Sequence, residues 1–255
     1  VGDSSSHDVQ LLKKALEQFH AGETEFYAGL GGTTFRFLAL RVSRKSGNYL
    51  IRADQKLLNR PQSEIIEIFK QLDIHAEFNS EGLVIHSQGW KKPKSPLKVA
   101  TSESSQFLSA LALSSVDLDF EFTFETSESL TSQAYFEMTD QLLKKCGIHF
   151  GQAHQKIQPM TLNGEVDVSS AFSLIAAAVL GGRVQIQNWT SDCTQPDIHF
   201  LNLFREMNIS YTVDGNQFEI CAQSEFKSVR ADLSSCPDLF PVLSVLSAFA
   251  QGESV

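Results

Sequence analysis

Four polar residues in TSESSQFLSALAL, positions 101–113, have types and spacing that can do chemistry. Ser102, Ser104, Ser105 and Gln106 crowd the start of a segment that then turns almost wholly apolar. The first four N–H groups of a helix have no partner inside it, and the dipole places about half a positive charge at that end. Hydroxyls and an amide beside those groups make a cradle for an anion. A single serine there is explained by capping alone. Two adjacent serines followed by glutamine, with similar polar pairs elsewhere, weigh against capping alone and keep a ligand site beside it as the second reading.

Other residues invite the same two-sided reading. GLGG at 29–32 lets backbone approach a ligand closely, yet it lacks the lysine of a nucleotide-binding P-loop. Arg60, before Pro61 in KLLNRPQSE, is either a solvated surface residue or a guanidinium fork for carboxylate or phosphate. Ser132 and Tyr135 stand three apart at a helix start and share a face, as cap and packed ring or as ligand contacts. Asp238 in CPDLFPVL suits a helix N-terminus, and in a cleft it can act as a general base.

The elements that must position these residues recur. GGTTFRFLALRV, ESSQFLSALAL, VSSAFSLIAAAVL and SCPDLFPVLSVLSAFA each set small polar residues before a long apolar helix. Phe35, Phe107, Phe172 and Phe240 mark equivalent places roughly every 70 residues, the sign of stacked copies of one supersecondary unit. In phase with them run amphipathic helices ending IFKQLDI, LLKKCGI and LFREMNI, each followed by an extended segment, HAEF, HFGQ or SYTV. DLDFEFTFE at 117–125 alternates with period two and predicts a strand, as do RVQIQN at 183–188 and SEGLVIHSQ at 80–88. The pattern is α+β, with helices inside and sheets outside. A polar stretch ending near Asn163 divides it into 1–163 and 164–255.

Composition narrows the function. A net charge of -9 over 255 residues argues against nucleic acid, which needs a basic face, but leaves room for a small anion. No run of roughly 18 apolar residues predicts a membrane span, and no signal peptide stands at the start, so the expected location is the cytoplasm. The four cysteines are far apart, without a CxxC pair or a histidine at ligand spacing. They read as reduced, mostly packed thiols rather than a metal site. The absent initial Met and the stop after AQGESV suggest a portion of something longer.

Together GGTTFRFL, NRP, SSQFLSALAL, LTSQAYFEMT, VDVSSAFSLIAAAVL, TQPDIHF and CPDLFPVLSVLSAFA resemble the 5-enolpyruvylshikimate-3-phosphate (EPSP) synthase family across nearly the whole chain. The resemblance implies two domains built of βαβαββ units, here incomplete at both termini: most of the first, shikimate-phosphate-binding domain and part of the second. It implies transfer of the enolpyruvyl group of phosphoenolpyruvate to the 5-hydroxyl of shikimate 3-phosphate by a monomer, with release of phosphate and without metal or cofactor. Carried over residue by residue, Ser104, Ser105, Ser132, Tyr135 and Gln106 hold shikimate 3-phosphate. Gly32, Arg60 and Gln106 contact phosphoenolpyruvate, and Asp238 binds the shikimate ring and accepts a proton.

The chain departs from the family pattern at Leu30, where asparagine is usual, and at Gln195–Pro196–Asp197, where QGD is usual. The family's cation-bearing segments before Val1 and after Val255 are absent, so the 255 residues alone are expected to be inactive. Two other readings stand beside this one. One is a non-catalytic binding module or degenerate homologue. The other is an enolpyruvyl transferase acting on UDP-N-acetylglucosamine, whose usual reactive-loop cysteine has no clear counterpart here.

Overall fold

The structure, a computed structural model, describes residues 4–100, 104–126, 133–162, 164–190 and 192–255. Its contacts divide the chain into two compact units, Val1–Met160 and Thr161–Val255.

The first unit opens with α1 (His7–His20), β1 (Glu25–Tyr27), α2 (Gly32–Ser43), β2 (Ser46–Arg52), the single turn α3 (Gln55–Leu58), α4 (Ser63–Gln71), β3 (His75–Phe78) and β4 (Gly82–Gln88). The strands pair in the order β1-β2-β4-β3, the first pair parallel and the others antiparallel, with Phe26 opposite Ile51 and Tyr49 opposite Ile85. This is a βαβαββ unit with α1 ahead of it. A second, less regular copy follows: β5 (Leu97–Val99), α5 (Gln106–Ser114), β6 (Phe124–Thr126) and α6 (Gln133–Lys145). Its two strands pair in parallel. The other unit runs α7 (Val168–Gly181), β7 (Arg183–Gln187), α8 (Phe200–Met207), β8 (Thr212–Asp214), β9 (Gln217–Cys221) and α9 (Phe240–Ser247), with strand order β7-β9-β8.

Of the four all-apolar runs, those of α2 and α5 are buried helices as predicted, while α7 leaves Leu174 61% exposed and α9 leaves Val245 51% exposed. Phe35, Leu38, Ala39, Leu40 and Val42 of α2 are all fully buried, which requires cover on every side of the helix. Sheet β1–β4 provides one side of that cover and α5 another.

The repeated Lys/Arg…Ile signature has a single physical cause. Asp73, Gly147 and Asn208 each adopt a left-handed backbone one residue before the buried Ile74, Ile148 and Ile209. The isoleucine N–H reaches back to Phe69 O at 2.9 Å, Leu143 O at 2.9 Å and Phe204 O at 2.8 Å. The preceding N–H reaches Lys70 O at 3.2 Å, Lys144 O at 2.9 Å and Arg205 O at 3.2 Å. Those paired bonds are the Schellman motif, completed by burial of the isoleucine with the residue five back. At Gly147 nothing lies within 4 Å of an added Cβ, so Gly147→Ala is opposed by backbone conformation alone. The expected loss is about 1–2 kcal/mol in a denaturant titration. No loss would mean that the helix end relaxes freely.

Two sequence expectations are corrected. The alternating run 117–125 is a strand only from Phe124 onward. Asp117 turns left-handed, and the backbone of 118 and 122 bonds the loop at His154 and Gly151 rather than a neighbouring strand. Its apolar face is still used: Phe122 and Phe124 pack on Phe150 at 5.5 and 4.5 Å between ring centres. Alternation reports burial of one face and does not require a ladder. HFGQ, for the same reason of local turns, contains no strand. The second correction is Phe240, which is 65% exposed whereas Phe35, Phe107 and Phe172 are buried. A 3-10 turn, Pro237–Leu239, leads into α9, and the buried stripe runs Leu239, Leu243, Leu246. Phe240 is one residue, about 100°, round from it.

Candidate functional site

The start of α5 is held by an arginine from the middle of α2. Arg36 is only 8% exposed, in a helix otherwise apolar at its buried positions apart from Thr34 and Ser43. Its Nη1 donates to Gln106 Oε1 at 2.7 Å and to Ser104 Oγ at 3.4 Å. Nε donates to Gln62 Oε1 at 3.1 Å, and Nη2 to the Pro61 carbonyl at 3.4 Å. The guanidinium lies over the Phe107 ring, 4.3 Å from its centre. One side chain therefore ties together α2, the loop between α3 and α4, and the α5 N-terminus. At the other end of α5, Arg44 donates to the Ser114 and Val116 carbonyls, both at 2.6 Å. There a cation meets the negative end of the helix dipole.

Several residues singled out from sequence meet at this cluster. Ser104 Oγ accepts from the Gln106 N–H at 3.2 Å, while Ser105 is buried at the N-cap position without a side-chain cap bond. Gly32 is the first residue of α2, and a Cβ added there would lie 3.4 Å from Gln106 Oε1 and 3.9 Å from Arg36 Nη1. Arg60 immediately precedes the Pro61 carbonyl that Arg36 grips, and its side chain is exposed. Tyr135 lies in the first turn of α6, which is tied to α5 through Thr139 Oγ1 and Ser109 Oγ at 3.0 Å. Ser132 falls outside the described residues. Asp238 belongs to the other unit, exposed in the 3-10 turn before α9.

Arg36 itself escaped the sequence reading. Its signal was present: a charged residue inside FRFLALRV, a stretch whose periodicity requires burial on every face. Buried arginine is rare unless paired or hydrogen-bonded.

The idea that every polar helix start serves a ligand does not survive. At α7 the polar residues satisfy one another. Asp167 caps the helix, accepting from Ser170 N at 3.1 Å and Ser170 Oγ at 2.7 Å. Ser169 Oγ donates to Asp197 Oδ2 at 2.5 Å, and Asp197 is 1% exposed. At α2, the Asp8 carboxylate stands so close that a Cβ on Gly31 would meet Oδ2 at 2.8 Å. Carboxylates near positive helix ends are what stability favours. A cation beside the α5 N-terminus runs against that preference.

Upstream of α7, Glu165 accepts from Cys193 Sγ at 3.2 Å, Thr194 N at 3.1 Å, Thr194 Oγ1 at 3.0 Å and Gln195 Nε2 at 3.1 Å. Gln195 completes the stitch, accepting from Val168 N at 2.9 Å and donating to Val166 O at 2.6 Å. Burial, opposed by the Gln195 backbone N–H and reinforced by Glu165, pushes the Cys193 thiol up to about 11. Burial likewise raises Cys236. All four cysteines are free thiols, and Cys221 alone is exposed. At pH 8, Cys221 is expected to react with a maleimide at least about tenfold faster than Cys193 or Cys236, since the thiolate is the nucleophile. Peptide mapping at intermediate times checks this, and equal rates would contradict the packing.

Among the described residues no helix is long and apolar enough to cross a membrane, and no group of three metal-ligating side chains gathers.

Comparison with known proteins converges on one family. The family profile described as EPSP synthase (3-phosphoshikimate 1-carboxyvinyltransferase) matches residues 3–255. A 3-phosphoshikimate 1-carboxyvinyltransferase from Buchnera aphidicola subsp. Baizongia pistaciae is 27% identical over 97% of this chain and 60% of its own length. The protein named 3-phosphoshikimate 1-carboxyvinyltransferase 2 in Halalkalibacterium halodurans is 30% identical over 96% of this chain and 61% of its own. The chain thus spans about 60% of the length of these curated relatives. Among solved structures, EPSP synthase from Acinetobacter baumannii superposes with a TM-score of 0.60 at 17% identity, covering 91% of this chain and 56% of that one. The enolpyruvyl transferase NikO from Streptomyces tendae also gives 0.60, at 14% identity, over 85% of this chain and 54% of its own. At such identities the structural likeness speaks for the fold. With the profile matching almost every residue, the chain belongs to the EPSP synthase family.

Proposed function

We propose that this chain contributes to the transfer of the enolpyruvyl group from phosphoenolpyruvate to the 5-hydroxyl of shikimate 3-phosphate. The observation that carries the proposal is the cluster at the α5 N-terminus. Arg36, Gln106 and Ser104 lie within hydrogen-bond distance, with Gly32 beside them. A dipole end and an amide at one point, with the positive charge of Arg36 behind them, suit an anionic phosphate ester.

In this reading the two units are parts of the two family domains, 1–163 and 164–255. Ser104, Ser105, Ser132 and Tyr135 hold shikimate 3-phosphate. Gln106 bridges both substrates, and the Gly32 backbone and the exposed Arg60 fork meet phosphoenolpyruvate. Asp238 takes the proton from the 5-hydroxyl as its oxygen bonds to C2 of the enol phosphate and a proton adds at C3. Loss of phosphate and of one C3 proton from that tetrahedral intermediate then leaves the vinyl ether. The same reading has the protein act in the cytoplasm, as a monomer and without metal or redox cofactor.

Calorimetry of the 255-residue chain with shikimate 3-phosphate tests the binding half, and phosphorus NMR of protein with both substrates tests turnover. Binding that Arg60→Ala leaves intact, but that Ser104→Ala combined with Ser105→Ala weakens at least about tenfold, is expected. Binding of UDP-N-acetylglucosamine with none of shikimate 3-phosphate would sink the proposal.

A further inference from the structure

Arg36 can only donate, having five N–H groups and no acceptor. Its contact with Gln106 at 2.7 Å is therefore made through the carboxamide oxygen. The reverse rotamer would set the NH2 group against the guanidinium, leaving a partly buried donor without its bond. Gln62 follows the same logic: its oxygen accepts from Arg36 Nε at 3.1 Å and its nitrogen turns to Leu57 O at 3.4 Å. For Gln106 the amide nitrogen has no hydrogen-bond partner among the described residues, and it belongs to the first residue of α5, at the positive end of that helix. Phe107 under the guanidinium, 4.3 Å away, fixes the plane of the fork.

We propose that Arg36 is a positioning residue: by taking the Gln106 oxygen, it commits the Gln106 amide to donating two hydrogen bonds to the bound substrate, which Arg36 does not touch. This rests on the function proposed above and adds to it the reason why position 106 is a donor. The same fork holds Pro61 O at 3.4 Å, so the loop carrying Arg60 is set by the same side chain.

Gln106→Glu separates polarity from packing, because a carboxylate accepts from Arg36 as well as the amide does but has no N–H to offer. The expected result is an unchanged or higher thermal midpoint, with shikimate 3-phosphate affinity at least about tenfold weaker by calorimetry. The introduced carboxylate, followed by carbon-13 NMR, is expected to titrate below about 4.3, the ordinary glutamate value. Arg36→Lys keeps the charge and loses the fork, and at least about a tenfold loss of affinity is expected. In a Gln106→Ala background the same change is expected to alter affinity by less than about twofold, since the two residues act as a unit. Undiminished binding by Gln106→Glu, fully additive losses, or a carboxylate titrating at or above its ordinary value overturns the proposal. If the unaltered chain takes no shikimate 3-phosphate, the proposed function fails by itself. The titration then still decides whether Arg36 faces the acceptor side of position 106.

Discussion

Phe200→Ala is expected to cost the second unit about 3–5 kcal/mol. Phe200 is fully buried and sits at the centre of an aromatic cluster. Its ring centre lies 5.0 Å from Phe172 of α7, 5.2 Å from Phe204 of α8, 6.1 Å from Phe218 of β9 and 6.2 Å from Trp189. Removing the ring takes its buried area out of the core and leaves a cavity whose lining comes from four different segments. Those segments are fixed by their own hydrogen bonds and cannot all collapse inward, which places the cost high in the usual range. Native-state hydrogen exchange is the suitable measurement because it reads the two units separately. Protection of the β7 and β9 amides should fall by the full amount while that of β2 and β4 stays constant. A loss below about 1 kcal/mol would mean that the cluster repacks.

What the sequence carried can be judged from individual residues. The helix ends at Asp73, Gly147 and Asn208 were legible because a local rule writes them: a left-handed residue, then an isoleucine, five after a large apolar residue. The buried helices α2 and α5 were legible because a run without a polar face must be covered, whereas α7, equally apolar, leaves Leu174 61% exposed. The failures share another cause. Counting from its repeat mates predicts a buried Phe240, but its burial depends on how a 3-10 turn rotates α9, and rotation is a tertiary outcome. The run 117–125 had the correct face and the wrong hydrogen bonds, since side-chain alternation says nothing about which backbone lies alongside.

The candidate site divides in the same way. Ser104 and Gln106 stood out through their position before an apolar helix, while their partner Arg36 is about 70 residues away in sequence and was hidden by the apolar pattern around it. Conversely Asp167, Ser169 and Ser170 had the same local appearance as the α5 start. The structure shows them consumed internally, Ser170 by the capping Asp167 and Ser169 by Asp197, 28 residues away.

Glu165 gives the second large effect, and with it a pH dependence of definite sign. Burial by itself would raise its pKa, but hydrogen bonds from Cys193, Gln195 and Thr194 outweigh that and hold the carboxyl below its ordinary range. A group whose folded pKa is depressed contributes stability that is fully present above the unfolded value, about 4.3, and is lost as pH falls through the folded value. The second unit is therefore expected to weaken from about pH 5 downward. Glu165→Gln places an NH2 group among donors that all need an acceptor, and one of its two oxygens is gone. Losing charge-assisted bonds and stranding their donors should cost about 2–4 kcal/mol at pH 7. As the wild-type carboxyl protonates in acid, it too becomes a poor acceptor, so the difference between the two proteins should shrink towards pH 3. Denaturant titrations of both proteins across pH 3–7, read by exchange at the β9 amides, measure that convergence. A difference constant over the whole range would show that the segment before α7 is held by packing rather than by the Glu165 charge.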